Sequence, residues 1–132
     1  MNHRILQPDG WARPKGYANG VSARGRTIFL AGQIGWNAEQ RLVGDDLVTQ
    51  AKQALRNIVA ILAEDGAQPE HIVRLTWYVT DRAAYLAAAA ELGAAYREVL
   101  GKHFPAMTAV EVSALMEADA VVEIEATAVV PE

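Results

Sequence analysis

Residues 50–81 read QAKQALRNIVAILAEDGAQPEHIVRLTWYVTD, and two hydrophobic periods meet inside them. From Leu47 onward, Ala51, Ala54, Leu55, Ile58, Ile61 and Leu62 recur every three or four residues, which is the spacing of one helix face. Asp45 or Asp46 can cap that helix, because a short carboxylate accepts backbone N–H groups that the first turn leaves free. Gly66 supplies a left-handed stop. The period then falls to two. In Ile72–Thr80, Val73, Leu75, Trp77 and Val79 alternate with Ile72, Arg74, Thr76 and Tyr78, which predicts a strand with two distinct faces. Asp81 closes the stretch as the cap of a second helix.

Working outward, Arg4–Gln7 reads as a short edge strand, and PDGWARPKG after it as a loop. Tyr17–Ala23 and Arg26–Gly32 flank Arg24-Gly25 and suggest a hairpin. In its second arm Ile28 and Leu30 face one way, and Thr27, Phe29 and Ala31 the other. GQIGWNAEQRLVGDD is a polar, glycine-rich loop. The second helix carries the stripe Tyr85, Ala89, Leu92, Tyr96 and Val99 and ends at Gly101. Strands Ala106–Val112 and Ala120–Val130 follow. The order β, β, β, α, β, α, β, β predicts one α+β domain over residues 1–132, with a sheet of about six strands and two helices. Two helices cover one face of such a sheet. The other face would carry Ile72, Tyr78, Phe29, Met107, Ala109 and Val121, too apolar a patch for water. A second copy of the chain is the simplest cover, so a homo-oligomer is expected.

The totals exclude several function classes. The 132 residues include no cysteine, which removes thiol catalysis, disulfides and Cys-ligated zinc. The formal net charge is −4 and no basic stripe is present, so nucleic acid is not the expected partner. No apolar stretch is long enough to span a bilayer, and the first ten residues lack a signal-peptide core; a cytoplasmic protein with no membrane contact is expected. His3, His71 and His103 fall in no metal-ligand spacing, so no metal is assigned. Neither a Walker loop nor a GxGxxG turn occurs, and no cofactor is implied.

Two features remain as candidate chemistry. Glu123 and Glu125 share one face of the last strand, with Cα atoms about 6.6 Å apart. A solvated strand face explains them, but carboxylates on a covered, apolar face also suit proton transfer. Among the tryptophans, Trp77 reads as core, whereas Trp11 and Trp36 lie in polar loops, as binding-surface candidates or local anchors.

LAGQIG (30–35), the stretch 50–81, FPAMTAVEV (104–112) and VEIEATAVV (122–130) occur in an order that resembles the Rid (YjgF) family along nearly the whole chain. The resemblance implies a chorismate-mutase-like fold and a homotrimer with a small-molecule cleft between subunits. Its RidA branch hydrolyses enamines and imines, released by pyridoxal-phosphate enzymes, to 2-keto acids and ammonia. By the same resemblance Tyr17 and Gly32 line the substrate site, although Ala31 replaces the serine of the glycine's motif, and Glu123 holds the attacking water. The departure is at Met107, where active members carry a substrate-gripping arginine; Ala109, two positions on, is often cysteine. A thioether cannot imitate two charge-assisted bonds to a carboxylate. Deamination of 2-imino acids is therefore not expected, unless Arg13 or Lys15 replaces the charge. A hydrolase with a changed substrate, a non-catalytic binding trimer, and the ribonuclease activity of some relatives are the readings left; the acidic balance disfavours the last.

Overall fold

A computed structural model describes residues 3–132. Its elements are strands β1 (Arg4–Leu6), β2 (Gly20–Ser22) and β3 (Arg26–Gln33), helix α1 (Leu47–Ala63), strand β4 (Ile72–Val79), helices α2 (Arg82–Ala87) and α3 (Ala89–Leu100), and strands β5 (Ala106–Glu111) and β6 (Val122–Val130). The α+β class holds, while the six strands divide into a four-stranded sheet, β3-β6-β4-β5, and a separate pair, β1-β2. β4 and β5 run parallel and the other neighbours of the large sheet antiparallel. A parallel pair needs a long crossover, and α2 with α3 provide it.

The expected hairpin between Tyr17–Ala23 and Arg26–Gly32 does not form. β2 pairs with β1, and β3 crosses to β6. The long-range partner wins because it buries the core side of β3: Leu30 stands opposite Ala126 and Ile28 opposite Ala128. A three-residue β2 has no such face to offer.

Helix α1 forms where its period predicts. The Asp46 side chain accepts from the Thr49 N–H at 3.0 Å, satisfying one orphan donor of the first turn. After its last turn, Gly66 adopts φ +70°, a conformation that costs an L-residue strain. Ala51, Ala54, Leu55, Ile58 and Leu62 are buried against Leu75, Trp77, Ile124 and Ala126 of the sheet. Each large side chain removed from water there contributes about 1.5–3 kcal/mol.

The second helix is interrupted, giving three helices rather than two. Ala88 leaves the helical region at φ −94°, ψ 11°. In a run of alanines such a break meets no side-chain obstacle. It leaves Tyr85 edge-on to Trp77, centroids 6.2 Å apart, while α3 turns to bury Leu92, Tyr96 and Leu100.

Register decides which sheet face is open, and here the sequence expectation is corrected. Met107 stands opposite Leu75 and Ala109 opposite Trp77, so both share the helix-facing side. Ile72 turns inward as well: two steps along β4, from Ile72 to Arg74, meet one along β6, and the bulge buries Ile72 completely opposite Ala128. The open face instead carries Arg74, Thr76, Tyr78, Glu123, Glu125 and Thr127, with Phe29 protruding from β3. It is more polar than expected.

Candidate active site

On the open face, a second bulge shapes the surroundings of Glu123. Three steps along β3, Leu30 to Gln33, face two along β6, Ala126 to Ile124. The extra residue brings the Gly32 backbone against the Glu123 side chain. A Cβ on Gly32 would overlap Glu123 Oε2 and lie 2.9 Å from its Cγ and Cδ. Only glycine leaves room for this carboxylate, a physical reason for that residue at that place. Gly32 and Glu123 line a cleft of about 370 Å³ with Gln33, Ile34, Trp36 and Met116.

The wall of this cleft is held from α1. Asn57 Nδ2 donates to Ile34 O and Trp36 O, at 3.3 and 2.8 Å. The fully buried Gln50 donates to Gly44 O and Asp119 O and accepts from the Val121 N–H, tying the β3–α1 loop to the β5–β6 loop. The neighbouring carboxylate is engaged: Tyr78 Oη donates to Glu125 Oε1 at 2.5 Å. That bond, aided by burial and the charges of Glu125 and Glu123, raises the phenol above its ordinary pKa. Glu123 has no hydrogen-bond or ion-pair partner among the described residues.

Two further clefts lie toward the other side of the sheet. Met107 lines one of about 380 Å³ between β4, β5 and α3, with Trp77, Tyr85, Leu92, Phe104, Lys15 and Arg97. Tyr17 lines another of about 620 Å³ with Trp11, Arg13, Lys15 and Phe104. The chain before β2 is fastened to the start of β5, where the Ala18 N–H donates to Pro105 O at 3.0 Å. Lys15, Gly16 and Phe104 belong to both clefts, which therefore adjoin. The structure thus joins Gly32 to Glu123 and sets Tyr17 beside the Met107 cleft, but it does not bring the two groups together within one chain. Ala109 lies exposed on β5 and lines neither of these clefts.

Arg97 is the residue that sequence reasoning missed. Its one signal was Gly93, four residues earlier on an alanine-rich helix. A Cβ there would lie 3.2 Å from Arg97 Nη1, so the guanidinium rests over the gap the glycine leaves. Both loop tryptophans, Trp11 and Trp36, line clefts as candidates for a binding surface. The histidines serve the backbone: His103 Nε2 lies 2.7 Å from Ile72 O, and His71 Nδ1 accepts from the Gln68 N–H. Among the described residues, no cluster of three or more His, Asp or Glu is placed to hold a metal ion, and no helix is long and apolar enough to cross a membrane.

The family model described as endoribonuclease L-PSP matches residues 11–130, which includes Tyr17, Gly32, Met107 and Glu123. The chain belongs to this family, also called Rid or YjgF. A crystal structure of a Rid-family protein from Yersinia pestis superposes with a TM-score of 0.85 at 38% identity, covering 98% of this chain and 100% of that one. A RutC family protein of Pyrococcus abyssi is 40% identical over 129 residues, 97% of this chain and 98% of its own. A protein of Salmonella typhimurium named 2-iminobutanoate/2-iminopropanoate deaminase is 35% identical over 116 residues, 86% of each chain.

Proposed function

We propose that this Rid protein is a hydrolase of the imine and enamine deaminase kind, of the subgroups lacking the substrate-gripping arginine, with a substrate other than a short 2-imino acid. The observation that carries the reading is the Glu123 carboxylate, seated against Gly32 at an open cleft with no partner among the described residues. A free carboxylate at such a place can take a proton from water as general base. The hydroxide equivalent adds to the C=N carbon, and Glu123 returns the proton to nitrogen. Glu123 then carries the adduct's hydroxyl proton to the same nitrogen as the C–N bond breaks, which releases ammonia and leaves a carbonyl, so an imine plus water gives a ketone or aldehyde plus ammonia. An enamine enters the same route after tautomerising to the imine.

Assembly is part of the proposal. Glu123 and Gly32 face one side of the sheet while Met107 faces the other. A second copy, in a homotrimer, would let the Glu123 cleft of one subunit meet the Tyr17 and Met107 clefts of its neighbour. Met107 supplies a soft apolar wall where a carboxylate grip is expected from the resemblance.

The test is turnover. Purified protein is offered a panel of imines generated in situ, with ammonia release read against the uncatalysed rate. Glu123→Gln is expected to lower the catalysed rate at least about 100-fold; an unchanged rate removes Glu123 from the mechanism. A second reading, a ligand-binding trimer without chemistry, is favoured by Met107 itself, and ligand-dependent thermal shifts with no turnover of any imine would establish it.

A further inference from the structure

The Met107 cleft combines an apolar interior with unspent positive charge at its rim. Trp77, Tyr85, Leu92, Phe104 and Met107 form the walls, and the volume of about 380 Å³ falls in the range of small-molecule sites. Lys15 enters from the loop before β2 and Arg97 from α3. Neither cation has a hydrogen-bond or ion-pair partner for its side chain among the described residues. The nearest acidic neighbour in sequence, Glu98, is engaged instead by Lys52 at 2.5 Å and Arg56 at 3.5 Å.

We infer that this cleft selects a monocarboxylate with an apolar, ring-sized body, whose anionic end is held by Arg97 and Lys15. This rests on the functional reading above and names its substrate class. The guanidinium offers two parallel N–H donors to a carboxylate and the ammonium adds a point charge. The aromatic and thioether walls take the body, which a two- or three-carbon acid does not possess. Arg97 and Lys15 are thus specificity-determining residues that orient substrate, while the chemistry stays with Glu123.

Calorimetry with phenylacetate and its neutral isostere phenylacetamide tests the inference. The wild-type protein is expected to bind the acid at least about tenfold more tightly than the amide, the ratio expected for a single charged hydrogen bond. The double variant Arg97→Gln, Lys15→Gln is expected to lose that preference while keeping its amide affinity, which also reports that the cleft remains folded. Arg97→Lys in the wild-type background is expected to retain part of it. Equal binding of acid and amide, a preference that survives the double variant, or no binding of phenylacetate at millimolar concentration overturns the inference. Calorimetry reads this binding without any turnover, on a ligand that carries no C=N bond. Loss of the hydrolase reading through turnover data therefore leaves this binding result standing, and the reverse also holds.

Discussion

Glu123 and Glu125 stand two residues apart on one strand face, yet their surroundings differ. Glu125 is occupied by the Tyr78 hydroxyl, whereas Glu123 is left to solvent and ligand. Tyr78 reports on that division. Its folded pKa is raised, first by the bond to Glu125, so its contribution to stability is complete below the unfolded tyrosine pKa and lost as pH rises through the folded value. Ultraviolet titration should therefore show Tyr78 ionising late, as the buried Tyr85 and Tyr96 also do, and Glu125→Gln should bring Tyr78 alone earlier. Gly32→Ala separates site geometry from folding. The added methyl meets the end of a flexible side chain, so thermal unfolding should move little while Glu123-dependent turnover falls by tenfold or more. Met107→Arg should add binding of pyruvate, measurable by calorimetry; no gain would mean that the cleft is reshaped beyond this one position.

At the scale of elements, α1 organises both loops around Glu123 through one buried amide. Replacing Gln50 by Leu strands the Val121 N–H and two carbonyls in a dry interior. A loss of about 2–4 kcal/mol is expected, seen as a lower urea midpoint with the slope unchanged. The cap of the same helix gives a pH-dependent comparison. The Thr49 N–H bond holds Asp46 below its ordinary pKa. Its contribution is present above the unfolded pKa of 3.8 and fades as pH falls through the folded value. Asp46→Ala should thus cost about 1 kcal/mol at neutral pH and progressively less on acidification.

At the scale of the whole molecule, the two parts of the proposed site lie on opposite faces of one sheet, and Phe29 stands 81% exposed on the open one. If copies of the chain complete the site, light scattering should give three chains' mass, and Phe29→Asp should lower it together with turnover. A monomer with full activity would refute the shared-site arrangement. The polarity of the open face removes the apolar-patch reason for assembly that the sequence suggested. The reason that replaces it is the separation of Gly32 and Glu123 from Tyr17 and Met107.

By itself the sequence determined the elements that its periods and caps encode: α1 between Asp46 and Gly66, the alternation of β4 and β6, and the α+β class. Local patterns carry that information because a helix face or a strand alternation is written over a few neighbouring residues. Alternation says which residues share a face, however, and not which face meets the helices. Only tertiary pairing decided that Met107 and Ala109 lie on the side of Leu75 and Trp77, that a bulge turns Ile72 inward, and that β2 leaves β3 for β1. The same holds for Arg97, whose place beside Met107 depends on how α3 settles after the break at Ala88, a contact between residues no local spacing connects.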